Sequence, residues 1–207
     1  MTRFEPITPT GLVDLCVQRC AELSRTAVVG VDGAPAAAPE SFASEIVDGL
    51  RARGRAAAVV RTADYLRPAS LRLEYGRSDP QSYRDNWFDF SAITREVIVA
   101  VRTERQWLPR LWDPLRDRSF RDQRENATND QIIVVAGPML RTHALDLELV
   151  ISLEMSEGAL RRRTPDDEQW MIRPLLDDAA QARPADLEVR YDHPDRPALA
   201  RRDGGPG

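Results

Sequence analysis

The chain has 207 residues, 42% hydrophobic and 30% charged, which suits one soluble α/β domain with a sizeable core. Its formal net charge of −4 gives no global basic field of the kind nucleic-acid binders use, and no run of about 18 apolar residues marks a membrane span. His143 and His193 are the only histidines, which excludes a histidine-rich metal site and leaves few candidates for a Ser-His-Asp triad.

Met1–Thr10 lacks the apolar core of a secretory leader, so a cytoplasmic protein is expected. Thr10–Ser24 reads as an amphipathic helix with Leu12, Leu15, Cys16, Cys20 and Leu23 on one stripe. Cys16 and Cys20 are expected as buried small hydrophobes rather than a disulfide or a metal pair.

Val28–Phe42 follows as a strand-like run, a Gly-led turn and the start of a helix. The spacing Gly33-(four residues)-Ala38-Pro39-Glu40 has the length of the phosphate loop G-x-x-x-x-G-K-[ST]. Such a loop works through bare backbone amides, a helix N-terminus and one lysine. Here Ala36 and Ala38 add methyl groups at the later glycine positions. Pro39 stands in the lysine position and has no amide to donate. Glu40 stands where a magnesium-binding hydroxyl belongs, with Ser41 next to it. Two like charges about 4 Å apart cost roughly 1 kcal/mol in water and about 4 kcal/mol at an effective dielectric of 20, enough to threaten ordinary ATP binding. The same residues are plain helix chemistry: proline is favoured at the first helical position and an acid in the first turn. All 29 basic side chains are arginine, so no displaced lysine can reach in. The Ala, Arg, Asp and Pro richness points to GC-rich codons as the cause.

Ser41–Arg53 is the next helix, with Phe42, Ile46, Val47 and Leu50 as its apolar face and Gly54 as its stop. Ala56–Arg61 is expected as a buried parallel strand. Strand, helix, strand in this order predicts a doubly wound, mainly parallel sheet flanked by helices. Asp64-Tyr65-Leu66-Arg67-Pro68 lies at that strand's carboxyl end, where open α/β sheets bind ligands. A polar, aromatic segment with Tyr83, Trp87 and Phe88 comes next, then a helix over Ser91–Thr103. Gln106–Arg124 reads as irregular or a short hairpin, and Gln131–Ala136 as the clearest buried strand, closed by Gly137-Pro138. Leu145–Leu153 suits a half-covered strand, Ser156–Arg163 a short helix, and Asp166–Ala182 a helix disturbed at Pro174. Asp186–Tyr191 is a last short strand. A single domain over residues 1–191 with a flexible tail over 192–207 is expected.

In order and spacing, several stretches resemble the uridine kinase-like branch of P-loop nucleoside kinases. They are Val28–Phe42, Asp64-Tyr65-Leu66-Arg67-Pro68, Arg72 with Gly76-Arg77, Asn86-Trp87-Phe88-Asp89, Val135–Leu140 and Arg161-Arg162-Arg163. The resemblance runs from about Thr26 to Tyr191. It implies an ATP site at the loop, a catalytic aspartate at Asp64 that takes the proton of an acceptor hydroxyl, and a lid arginine at Arg162. It also implies acceptor-side residues at Tyr65, Arg67, Arg72, Arg77 and Trp87. No metal ligand is assigned, and the cofactor is unknown. Mg·ATP is expected only if the donor site is remodelled, with an arginine replacing lysine and Glu40 or Asp64 holding magnesium.

The acceptor-side residues are present while the loop's lysine and hydroxyl are absent. The reading is therefore a kinase-like protein that binds a nucleoside-like or other hydroxyl-bearing small molecule without ordinary ATP-dependent phosphotransfer. The alternatives are an active kinase with a remodelled loop and a non-catalytic interaction partner served by the Trp107–Trp112 stretch. Neither nucleic acid nor membrane is expected as a partner, and a homo-oligomer is compatible with the sequence.

Overall fold

A computed structural model describes residues 2–202. The elements in chain order are β1 (Thr2–Pro6), α1 (Pro9–Ala21), β2 (Ala27–Gly33), α2 (Pro39–Ala52), β3 (Ala57–Arg61), α3 (Ala69–Arg72), α4 (Pro80–Asn86) and α5 (Phe90–Ile93). A π-helical stretch over Thr94–Val99 joins α5 to α6 (Ala100–Thr103). Then come the short strands β4 (Gln106–Trp107), β5 (Trp112–Asp113), β6 (Arg118–Ser119) and β7 (Glu125–Asn126), followed by β8 (Ile132–Gly137) and β9 (Leu149–Glu154). The chain closes with α7 (Glu157–Arg163), α8 (Ile172–Gln181), β10 (Leu187–Arg190) and β11 (Ala198–Arg202).

The seven long strands form one sheet in the order β1-β11-β10-β9-β2-β8-β3. The five strands from β10 to β3 run parallel, and the β1–β11 pair closes the edge antiparallel. β2 lies between β8 and β9, with all seven of its residues buried. This is the expected doubly wound, mainly parallel α/β fold. Successive strand residues feed opposite faces. Val29, Val31, Val134 and Ile151 pack under α1 and α2 with Leu12, Cys16, Cys20, Phe42, Ile46 and Leu50. Val28, Val60, Ile133 and Val135 pack on the other face with Tyr65, Tyr83, Phe88, Phe90 and Ile93. Each fully buried aliphatic side chain contributes about 1.5–3 kcal/mol. Burial raises the Cys16 thiol pKa well above its ordinary value and pushes Cys20 up to about 12, which makes both poor nucleophiles.

Local chemistry sets the helix starts. Thr8 caps α1 by accepting from the Gly11 amide, with Pro9 at the first helical position. Pro39 and Glu40 open α2, whose apolar residues recur at helical spacing and face the sheet.

Two expectations are corrected. The tail expected from Asp192 instead supplies β11, which pairs with both β1 and β10 and buries Leu199; residues 203–207 of that tail lie outside the described residues. β11 is thus flanked on both sides, and the edge strand of the sheet is β1. The helix disturbance near Pro174 lies earlier, where a 3₁₀ stretch over Asp166–Met171 gives way to α8. Pro174 sits in the first turn of α8, where no intrahelical amide is lost. Within Gln106–Arg124, β5 and β6 form a short hairpin as expected, while β4 pairs with β7 just beyond the stretch. Among the described residues, no helix is long and apolar enough to cross a membrane.

Candidate functional site

The phosphate-loop position follows directly from β2. Gly33 is needed for close packing: a Cβ there would stand 3.2 Å from the Leu153 Cβ. Pro35–Ala37 form one 3₁₀ turn, and Ala38 adopts φ 51°, ψ 52° before α2 begins. That left-handed conformation costs alanine about 1–2 kcal/mol and suits glycine. The backbone therefore takes a turn that the side chain at position 38 opposes.

Two of the loop's amides are turned inward on the loop itself. Ala37 donates to the Ala34 carbonyl at 2.8 Å and Ala38 to the Pro35 carbonyl at 2.9 Å. Pro35 and Pro39 have no amide proton. Ser41 and Phe42 both donate to the Ala38 carbonyl. Glu40 is half-buried at the head of α2 and bonds its own backbone amide. Desolvation raises its pKa, opposed by that bond and by Arg61, with Asp64 adding to the rise. A nucleoside triphosphate needs free amides, a cation and room for its charge. These residues do not fit Mg·ATP bound in the ordinary way.

Asp64 stands in the 3₁₀ turn Thr62–Tyr65 at the carboxyl end of β3. Its buried carboxylate is held by Arg61 through two hydrogen bonds, Nε to Oδ2 at 2.8 Å and Nη2 to Oδ1 at 3.3 Å. Tyr65 is fully buried, and its hydroxyl donates to the Leu108 carbonyl. Burial raises the Tyr65 pKa, so the phenol stays protonated. Gly137 ends β8 at φ 149°, and a Cβ there would fall 1.8 Å from Thr62 Oγ1. The glycine is thus required by contact with the turn that carries Asp64.

Tyr65, Arg67, Arg72 and Trp87 are brought together. Leu66 and Phe88 form an antiparallel bridge, Arg67 donates its amide to the Trp87 carbonyl, and Asp89 donates to the Tyr65 carbonyl. Arg72 is buried, donates Nε to the Arg67 carbonyl at 2.6 Å, and lies 5.3 Å from the Trp87 ring centroid. Burial lowers its pKa from the usual arginine value. Arg77 is exposed beyond this group. Arg162 is exposed in the last turn of α7, its Nη1 3.4 Å from where a Gly158 Cβ would sit. Neither is linked to the group by a hydrogen bond or ion pair.

A cleft of about 170 Å³ that the sequence reading missed lies at the carboxyl ends of β2 and β9. Apolar side chains of Leu153, Met155, Leu160 and Leu175 wall it. Asp32, Arg141, Ser152, Glu154 and Asp178 supply its polar part. Asp32 accepts from the Leu140 amide at 3.0 Å and from Arg141 Nε at 2.7 Å. Arg141 also donates to the Arg183 carbonyl at 3.1 Å and to Glu154 at 3.4 Å. Asp178 accepts from the Thr142 hydroxyl at 2.6 Å, and desolvation raises its pKa. The available signal was Asp32 itself, one acid inside an otherwise apolar strand.

Two solved structures share the fold at low sequence identity. A uridine kinase candidate from Bacillus stearothermophilus superposes with a TM-score of 0.63 at 15% identity, over 82% of this chain and 94% of that one. A fructose transport system kinase candidate from Silicibacter sp. TM1040 superposes with a TM-score of 0.68 at 20% identity, over 86% of this chain and 98% of that one. The fold is that of the uridine kinase-like P-loop kinases. No family model and no curated protein matches the chain.

Proposed function

We propose that this chain is a kinase-fold protein with a disabled donor site, which binds a small nucleoside-like or other hydroxyl-bearing ligand without ordinary ATP-dependent phosphotransfer. The observation that carries this reading is the self-satisfied loop. The Ala37 and Ala38 amides are spent on the Ala34 and Pro35 carbonyls, and Glu40 takes the place an anion would have at the head of α2. Pro39 supplies neither a charge nor an amide. The grouping of Tyr65, Arg67, Arg72 and Trp87 beside Asp64 supports a ligand site on the former acceptor side. Asp64, Tyr65, Arg67, Arg72, Arg77, Trp87 and Arg162 are the residues assigned to it, and the cytoplasm is the compartment proposed.

The test is calorimetric titration with Mg·ATP and then with a nucleoside panel. The expected result is no saturable heat from Mg·ATP and saturable heat from one nucleoside. Micromolar ATP binding would overturn the reading. It would favour an active kinase with a remodelled loop, for which the electrostatic proximity of Glu40, Arg61 and Asp64 speaks: two carboxylates and a guanidinium beside the loop. In that case Asp64→Asn removes phosphotransfer.

A further inference from the structure

The 3₁₀ stretch Asp166–Met171 connects α7 to α8, and none of its residues is buried. Trp170 and Met171 pack it against the core, and the contacts of Trp170 are aromatic. The Trp170 ring lies 5.5 Å from Tyr83 at 78° and 5.6 Å from Trp87 at 60°. Tyr83 in turn meets Trp87 at 5.1 Å and 72°. Trp170 thus comes from the lid side of the molecule and seats itself against the acceptor-side rings.

That seat is imperfect in one specific respect. Trp87 Nε1 is buried and has no hydrogen-bond partner among the described residues. A buried N–H left without an acceptor keeps its full desolvation cost, and aromatic faces return only a weak contact to it. Arg72 lies over the Trp87 ring, so the ring that Trp170 packs against carries both a cation on its face and an unmatched donor on its edge. An indole cannot accept from that N–H through its nitrogen, which is a donor only.

We infer that Trp170 is an internal stand-in for a ligand. The site takes a flat heteroaromatic ring of about indole size with a hydrogen-bond acceptor on its edge. Such a ring displaces Trp170, accepts from Trp87 Nε1 and releases Asp166–Met171 from the domain. Binding then exchanges an unmatched donor for a hydrogen bond, and its cost is the expulsion of one tryptophan. The inference rests on the ligand-binding reading above and adds that the empty state is closed by its own lid.

Benzimidazole and indole are the probes: they share a shape, and only benzimidazole carries an acceptor nitrogen. In Trp170→Ala, whose folding is checked by circular dichroism, calorimetry is expected to give benzimidazole at least tenfold tighter binding than indole. Wild type is expected to bind benzimidazole at least tenfold more weakly than the variant. Adding Trp87→Phe, which keeps a ring and deletes the N–H, is expected to abolish the preference for benzimidazole. In wild-type protein saturated with benzimidazole, amide hydrogen exchange over Asp166–Met171 is expected to accelerate. Equal binding by wild type and Trp170→Ala, or no preference over indole, overturns the inference. If Trp170→Ala does not fold, the wild-type exchange experiment decides: unchanged or slowed exchange at saturation, or no benzimidazole binding at millimolar concentration, overturns it. Mg·ATP is titrated into the same samples; ATP binding there counts against the disabled donor site and leaves the Trp170 result to be judged on benzimidazole alone.

Discussion

Arg141 and Asp32 form an ion pair at 2.7 Å in which both side chains are more than nine-tenths buried, 7% and 8% exposed. It ties the end of β2 to the segment after β8, directly beneath the phosphate-loop position. Breaking a buried pair from one side strands the other charge, at about 3–5 kcal/mol. Arg141→Met is therefore expected to lower the unfolding free energy by about that amount. Asp32→Asn combined with Arg141→Met removes both charges and keeps an acceptor for the Leu140 amide, so the double variant is expected to recover much of the loss. Urea denaturation measures both. A single variant no less stable than the double would contradict the pairing.

Ala38 gives a prediction of opposite sign. Its φ of 51° is strained for a residue with a Cβ. Replacing it with glycine relieves about 1–2 kcal/mol in the folded state and gives back about 0.4–1 kcal/mol through the freer unfolded chain. Ala38→Gly is thus expected to stabilise the protein by about 0.5–1 kcal/mol, read as a higher denaturant midpoint at unchanged slope. A lower midpoint would mean that the methyl group makes contacts worth more than the strain.

The central strands were legible because burial on both faces writes an apolar run, as in Val28–Val31 and Ile132–Ala136. The turn after β3 was legible because Asp64 and its aromatic neighbours follow such a run. The antiparallel margin was not: β1 carries Arg, Glu and Pro, and β11 ends in two arginines, which read as a loop or tail. The grouping of Asp32, Arg141 and Asp178 was equally hidden, since each comes from a different element and only the sheet order β9-β2-β8 unites them. Trp170 lay inside the stretch Asp166–Ala182 expected as a helix, and nothing near it in the chain signals that its partners are Tyr83 and Trp87. Local pattern reports periodicity; it carries no information about which distant side chains share a pocket.

Asp178 predicts a pH dependence. Desolvation raises its pKa in the folded protein above the ordinary carboxylate value, and the Thr142 hydroxyl offsets only part of this. Between those two values the folded state holds more protons than the unfolded state. Stability is therefore expected to fall as pH rises from the ordinary carboxylate value through the raised one, and to level off above it. Asp178→Asn keeps an acceptor for Thr142 and removes the ionisation. Relative to wild type, the variant is expected to become progressively more stable as pH rises through that window. Parallel stability curves for the two proteins would remove Asp178 as a source of the slope.

The phosphate loop supplies the decisive repair experiment. Ala36→Gly, Ala38→Gly, Pro39→Lys and Glu40→Ser together restore bare backbone, an amide at position 39, a point charge and a hydroxyl. Removing Glu40 alone takes away a like-charge repulsion between about 1 kcal/mol in water and about 4 kcal/mol at an effective dielectric of 20. The quadruple variant is expected to bind Mg·ATP at least a hundredfold more tightly than wild type by calorimetry. Glu40→Ser alone is expected to fall between them, because the Ala37 and Ala38 amides remain committed to Ala34 and Pro35. A quadruple variant as blind to ATP as wild type would show that closure of the site lies outside the loop, with the lid held down by Trp170 the next place to probe.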